Sequence, residues 1–116
     1  KIQIAKYYEK FLKKNNKIKL PLTKKNMKNV YWMYCITVPS FNSRKTEKLM
    51  KELLKVGIET RKMFIPYNLQ KFTKKEKKSN CPKANKIAFN SFYLPSGVDL
   101  NKSDIKYISD CLIEMV

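Results

Sequence analysis

One run of the sequence collects side chains that could bind an anionic or aromatic ligand. It is G-I-E-T-R-K-M-F-I-P-Y-N-L-Q, at residues 57–70. Arg61 carries a planar guanidinium that can hold a carboxylate or a phosphate through two parallel hydrogen bonds. Phe64 and Tyr67 have rings that can stack on a ligand, and the Asn68 amide can both donate and accept a hydrogen bond. These four residues are the candidates for substrate binding.

The same residues also have purely structural interpretations. Arg61 could form an ordinary strand ion pair with Glu59 or another acid, and aromatic residues beside a proline often only pack. Trp32 and Tyr34, in a second aromatic run, fit a buried strand better than a binding site. For Arg61, both interpretations stay open at the level of sequence.

Composition excludes several other kinds of chemistry. The chain of 116 residues has no histidine and three widely spaced cysteines, Cys35, Cys81 and Cys111. Histidine is the commonest general base and metal ligand, and an odd number of distant cysteines does not indicate a disulfide framework or a zinc site. We therefore predict no metal site, and cysteines that are buried or idle.

The charge is strongly basic, with a formal net charge of +17. Clustered lysines bind polyanions, so one hypothesis is a basic module that binds nucleic acid or another polyanion through Lys74, Lys75, Lys77, Lys78 and the lysines between residues 13 and 28. The excess comes from 24 lysines and only 2 arginines, although arginine is the residue that grips phosphate with fixed geometry. Nucleic acid is therefore the less favoured partner.

Hydrophobic periodicity predicts several helices. Apolar residues at helical spacing indicate one helix over residues 2–12 and a second that begins at Asn42 or Ser43 and ends at Gly57. Pro82 suits the first turn of a short third helix, and Asn101 can cap a last one with Asp104 three residues later. The expected buried stripe of the second helix is Leu49, Met50, Leu53, Leu54 and Val56.

Strand signals lie between these helices. Residues 30–38 are aromatic and β-branched and should form a strand that is apolar on both faces, and a second strand is expected over residues 58–65. A strand piece is expected at F-Y-L-P-S-G, residues 92–97. Residues 71–80 are highly charged and should form a mobile loop. The predicted fold class is α+β, a small α/β-type domain with a sheet of about three strands and helices packed on it.

Three sequence blocks carry a resemblance to a known family. They are N-V-Y-W-M-Y at residues 29–34, G-I-E-T-R at residues 57–61 and L-P-S-G at residues 94–97. In this order and spacing the blocks resemble the C-terminal end of the DegT/DnrJ/EryC1/StrS family of pyridoxal-phosphate sugar aminotransferases, closest to the perosamine synthase branch. The resemblance implies that residues 1–116 form the single C-terminal small domain of a larger enzyme, with a helix and connector at 1–28 and the sheet and helices at 29–116.

The resemblance also implies a reaction and partners. Such enzymes use pyridoxal phosphate to move an amino group from glutamate to a 4-keto-6-deoxy sugar nucleotide, and they are typically homodimers. The lysine that holds the cofactor lies in an N-terminal domain. We therefore expect no catalytic residue and no cofactor-binding residue in this chain, and no activity from it alone.

A small domain can form one wall of a substrate cleft, which is the role expected for Arg61, Phe64, Tyr67 and Asn68. Many members of the family have histidine where this sequence has Asn68, and asparagine cannot carry a proton near neutral pH. No long apolar segment or secretory leader is visible, so no membrane is expected and a cytoplasmic location is the default expectation.

Overall fold

The computed structural model describes residues 1–71 and 80–116. Four helices and three strands follow one another along the chain. They are α1 (Ile2–Leu12), β1 (Tyr34–Thr37), α2 (Ser43–Lys55), β2 (Arg61–Lys62), α3 (Pro82–Asn90), β3 (Ser91–Leu94) and α4 (Lys102–Met115), with a 3-10 turn at Tyr67–Leu69 after β2. The predicted α+β class with a sheet of three strands is confirmed. The predicted mobile loop at 71–80 lies outside the described residues except at its two ends.

The sheet is antiparallel, with strand order β1-β3-β2. Cys35 and Arg61 both pair with Tyr93, and Ile36 and Lys62 both pair with Phe92. Paired residues share a face of a sheet, so Cys35, Tyr93 and Arg61 form one row and Ile36, Phe92 and Lys62 form a row on the other face.

The core lies between the helices and the Ile36 and Phe92 row. Ile36, Phe92 and their neighbours Tyr34 and Leu94 are buried. They join a single cluster of apolar side chains from α1, α2 and α4, whose fully buried members include Tyr8, Leu12, Leu53, Ile105 and Leu112.

Helix boundaries follow the capping residues in the sequence. The Asn42 side chain accepts a hydrogen bond from the backbone N–H of Lys45 at 3.0 Å at the start of α2. Gly57 follows the helix with φ +80°, a left-handed conformation that glycine adopts at little cost. Asn101 and Asp104 form a reciprocal capping box at the start of α4. These three predictions are confirmed.

The strands are shorter than the sequence pattern predicted. The run at 30–38 is extended and paired only over Tyr34–Thr37, because Tyr31 has φ +48° and interrupts the extended backbone. Beyond this turn, Val30 and Trp32 are exposed, so their predicted place on the buried face is wrong. The second strand narrows from the predicted 58–65 to Arg61–Lys62.

The predicted stripe of α2 is also only partly buried. Leu49 and Leu53 are buried and Met50 packs at the edge of the core, whereas Leu54 and Val56 are exposed. Leu54 follows Leu53 directly, and a rotation of about 100° per residue turns it away from the core. The connector after α1 forms one isolated bridge to the sheet: Lys19 exchanges two backbone hydrogen bonds with Thr37 at 2.8 and 3.0 Å.

Candidate functional site

A cleft of about 870 Å³ lies beside β2 and β3. Its walls come from these two strands, the turn before β1, the loop after β3 and the first half of α4. Pockets that bind small molecules usually measure about 300–1,000 Å³. The cleft is therefore large enough for a ligand of ordinary metabolite size.

Three aromatic rings form one wall of this cleft. The ring centroids of Trp32 and Phe64 are 6.3 Å apart with planes inclined by 22°. Phe64 also contacts Tyr93, with centroids 5.7 Å apart and planes at 58°. Trp32 is 70% exposed and Phe64 62% exposed, so broad aromatic surface faces solvent. We call Trp32, Phe64 and Tyr93 the aromatic wall.

A strained turn holds Trp32 in this position. Tyr31, the residue before Trp32, has a φ of +48°. Positive φ values are rare for bulky residues, so this backbone conformation is strained. Three contacts stabilise the turn: the Tyr31 backbone N–H donates to Asn29 Oδ1 at 2.9 Å, the Tyr31 hydroxyl donates to Glu9 Oε1 at 3.1 Å, and the Tyr31 ring stacks on Tyr34 at 6.0 Å. Backbone strain of this kind often occurs at functional sites.

Arg61 lies in the same row of the sheet as Tyr93. Its neighbour Lys62 belongs to the opposite row and donates to Glu47 on α2 at 2.8 Å, and this hydrogen bond and the charge of Lys62 lower the pKa of the Glu47 carboxyl. Within residues 1–71 and 80–116, the Arg61 guanidinium has no ion pair or hydrogen bond, so the predicted alternative of a pair with Glu59 is not found there. Nothing in the described part of the chain therefore keeps the guanidinium of Arg61 from binding a ligand.

Acidic and basic residues line the cleft in equal numbers. Three acidic residues and three basic residues line it: Glu59, Asp99, Asp104, Lys1, Arg61 and Lys62. Asp104 accepts the backbone N–H of Asn101 at 2.9 Å and Lys1 donates to the Ser96 carbonyl oxygen. Neither Lys1 nor Arg61 has a carboxylate partner among the described residues, and of the two only Arg61 carries the planar fork that fits a phosphate or a carboxylate.

The structure brings together only two of the four predicted site residues. Arg61 and Phe64 line the cleft, whereas Tyr67 and Asn68 lie in the 3-10 turn and are not among its lining residues. The sequence did not point to Trp32, because the aromatic run at 29–34 indicated a buried strand, or to Tyr93, which lies in the strand piece expected at 92–97. The available signal was that Trp32 is the only tryptophan in a block that carries the family resemblance.

Buried ionisable groups lie outside the aromatic wall and favour their neutral forms. Burial raises the pKa of the Cys35 thiol to about 11. Burial also raises the pKa of Tyr8 and Tyr34, whose rings stack at 4.7 Å, and the nearby Glu9 charge adds to the effect on Tyr34. A thiol that stays protonated is a poor nucleophile, so we assign no reaction to the partly buried Cys35.

All lysines among the described residues are exposed, which is not the setting of a lysine that holds pyridoxal phosphate. A lysine that forms a Schiff base needs a neutral amine, which burial favours. Lys62 instead has a side chain that is 67% exposed and paired with Glu47. Among the described residues, no group of three or more potential metal ligands occurs, and no helix is both long and apolar enough to cross a membrane.

Comparison with known structures shows which proteins share this fold. The fold matches segments of two sugar aminotransferases. One is Spr1654 of Streptococcus pneumoniae in its PLP form, with a TM-score of 0.89 and 20% identity over 98% of this chain and 30% of that chain. The other is CalS13 of Micromonospora echinospora, with a TM-score of 0.82 and 18% identity over 97% of this chain and 29% of that chain. PseC of Helicobacter pylori, an aminotransferase involved in the biosynthesis of pseudoaminic acid, is similar as well. Its TM-score is 0.82 and its identity 20%, over 98% of this chain and 31% of that chain. The fold is that of an aminotransferase segment.

Sequence comparison gives the family. Residues 1–113 match the sequence model of the DegT/DnrJ/EryC1/StrS aminotransferase family, and the chain belongs to this family. No curated protein sequence matches the chain significantly. The chain spans about 30% of the length of the solved aminotransferases that it superimposes on.

Proposed function

We propose that this chain is the C-terminal small domain of a nucleotide-sugar aminotransferase and forms one wall of its substrate cleft. The proposal rests on the family match over residues 1–113 and on superposition with about 30% of each sugar aminotransferase. The proposed reaction moves an amino group from glutamate to a 4-keto-6-deoxy sugar nucleotide, as in the perosamine synthase branch. The remainder of the enzyme would supply the N-terminal cofactor domain, and the enzyme would be a homodimer.

One observation carries the proposed role of this chain: Arg61 has no partner among the described residues and lies in the cleft with Phe64. A guanidinium can hold a substrate phosphate or the carboxylate of the amino donor in a fixed orientation. Phe64 would contact a sugar or a base. Tyr67 and Asn68 remain proposed substrate contacts from the turn that follows, which would need the substrate to extend beyond the cleft.

Pyridoxal phosphate would act as the electron sink of the reaction when bound in the complete enzyme. The solved forms of Spr1654 include a PLP form and a PMP form, which supports the same cofactor here. Since the described residues offer no suitable lysine, this chain would bind and orient the substrate and leave the covalent chemistry to the rest of the enzyme. The chain alone is therefore proposed to be inactive.

A chimera tests this function. The segment of Spr1654 that superimposes on this chain is replaced by residues 1–116, and amino transfer is assayed with glutamate and a panel of 4-keto-6-deoxy sugar nucleotides. We expect the chimera to transfer the amino group and the isolated chain to show no turnover with added pyridoxal phosphate. A chimera that folds and keeps its cofactor but transfers nothing to any substrate would refute the proposal, and turnover by the isolated chain would contradict its inactivity.

The polyanion hypothesis is not favoured. The family assignment accounts for residues 1–113 without it, and Lys74, Lys75, Lys77 and Lys78 lie outside the described residues. The seven lysines between residues 13 and 28 are all exposed, and they are spread along a connector. Ordinary charge attraction of this kind should disappear with modest salt.

A further inference from the structure

We propose that Trp32 and Phe64 form a stacking platform for the base of a nucleotide and that Arg61 binds the phosphate of the same nucleotide. This inference rests on the proposed function, because it assigns the nucleotide part of the substrate to particular residues. It adds Trp32, which sequence analysis placed in the core. Of the two groups that Arg61 could hold, the phosphate and the carboxylate of the amino donor, the phosphate is the one proposed here.

The exposure of Trp32 is the first argument. Trp32, the only tryptophan of the chain, is 70% exposed. A large apolar ring therefore remains in contact with water. Its ring is also held in place, since it stacks on Phe64 and follows the strained residue Tyr31. A fixed and exposed aromatic face is what base stacking requires, since every base has a flat π-face.

The position of Arg61 is the second argument. Arg61 and Phe64 are three residues apart, so their Cα atoms are separated by at most about 10 Å even in an extended chain. Both line the cleft together with Trp32. A nucleotide places an aromatic base and a phosphate at a separation of this order. The site therefore combines an aromatic surface with a guanidinium that has no acidic partner among the described residues.

Charge selects a nucleotide over an uncharged aromatic ligand. Of the two arginines in the chain, Arg44 is exposed on α2 and Arg61 lies in the cleft. Glu59 and Asp99 line the same cleft, so anions should bind there only where the Arg61 fork can reach them. We infer that binding needs both parts of the ligand and that neither free base nor pyrophosphate binds as well.

Fluorescence of Trp32 tests the proposal, since no other tryptophan contributes to the signal. The 116-residue chain is titrated with uridine, thymidine and guanosine diphosphates, and with the nucleosides and pyrophosphate as separate probes. We expect at least one nucleoside diphosphate to quench Trp32 saturably and to bind more tightly than its nucleoside or pyrophosphate. Absence of saturable quenching by all three nucleoside diphosphates would overturn the proposal.

Matched variants assign the effect to these residues. Phe64→Leu should weaken the binding of that nucleotide by about 5- to 100-fold, as expected for the loss of base stacking, while Phe89→Leu, at an exposed phenylalanine outside this cleft, should leave it unchanged. Arg61→Gln should reduce the affinity for the diphosphate to that of the nucleoside, whereas Arg44→Gln removes the same charge without effect. Equal losses of affinity in Arg61→Gln and Arg44→Gln would mean nonspecific charge attraction. Equal losses within either the arginine or the phenylalanine pair would overturn the proposal.

A Trp32→Leu variant separates this inference from the proposed function. Its affinity for the nucleotide is measured by equilibrium dialysis, after circular dichroism has established that it folds, and should fall by about 5- to 100-fold. In the chimera, the same substitution should raise KM for the sugar nucleotide and leave kcat unchanged. An active chimera with an unchanged KM overturns the platform alone, and nucleotide binding by the chain beside an inactive chimera overturns the proposed function alone.

Discussion

Leu53 and Leu54 are adjacent on α2, yet Leu53 is fully buried at 0% exposure and Leu54 is 59% exposed. Leu53→Ala should therefore lower the free energy of unfolding by about 2–5 kcal/mol, because it removes core contacts and leaves a cavity. Leu54→Ala is the matched control and should change it by at most about 0.5 kcal/mol. Urea unfolding followed by circular dichroism measures both values. Similar losses in the two variants would mean that α2 is rotated relative to this structure.

The capping box of α4 should contribute measurable stability. The Asn101 side chain accepts the backbone N–H of Ser103 at 2.8 Å and of Asp104 at 3.1 Å. Asn101→Ala should lower the free energy of unfolding by about 1 kcal/mol, since it leaves helix N–H groups without that partner. Asn16→Ala removes an exposed asparagine that has no side-chain hydrogen bond within the described part of the chain, and should be neutral. Urea titration again gives the difference.

Gly57 should resist substitution for a reason of backbone geometry alone. A Cβ atom built on Gly57 meets no atom within 4 Å, but its φ of +80° is unfavourable for residues with a side chain. Gly57→Ala should cost about 1–2 kcal/mol of stability. Gly57→Asn should cost less, because asparagine tolerates the left-handed region better than alanine. Thermal or urea unfolding that ranks alanine above asparagine would contradict this explanation.

The Tyr31 hydroxyl should help to hold the turn that positions Trp32. Tyr31→Phe removes its hydrogen bond to Glu9 and should lower the free energy of unfolding by about 1 kcal/mol. The emission of Trp32 should shift at the same time, because the neighbouring turn loosens. Tyr7→Phe on α1 is the control, since Tyr7 packs against the core without a hydroxyl hydrogen bond among the described residues. An unchanged emission spectrum for Tyr31→Phe would show that other contacts hold Trp32.

Alkaline pH should destabilise the fold through Cys35. Its pKa in the folded chain is raised from 9.0 to about 11, so above pH 9.0 the unfolded chain loses the thiol proton before the folded chain does. The unfolded state then binds fewer protons, and the free energy of unfolding falls as the pH rises from 9.0 towards about 11. The raised pKa values of Tyr8 and Tyr34 act in the same direction.

Substitution of Cys35 isolates its share of this pH dependence. The difference in unfolding free energy between the natural chain and Cys35→Ala should shrink as the pH rises across that interval, because only the natural chain carries the thiol. Taking the difference cancels the titration of the many lysines, which both chains share. A difference that stays constant with pH would mean that the Cys35 thiol ionises equally in both states.

The sequence alone determined the features that depend on neighbours in the chain. The helix ends were predicted correctly at Asn42, at Gly57 and at the Asn101 and Asp104 pair. Capping involves residues within about one helical turn, so it can be recognised from the local sequence. The apolar spacing that placed Leu49 and Leu53 in the core is equally local. Block order and spacing also identified the family.

Only the tertiary structure decided which aromatic residues are available to a ligand. By strand alternation, Trp32 and Tyr34 belong to one face, yet Tyr34 is buried and Trp32 is exposed. The difference arises at Tyr31, which has a positive φ and whose hydroxyl donates to Glu9, a residue of α1 far away in sequence. The local pattern encodes neither that long-range contact nor the exposure of Trp32 among the described residues, because both depend on how distant segments pack together.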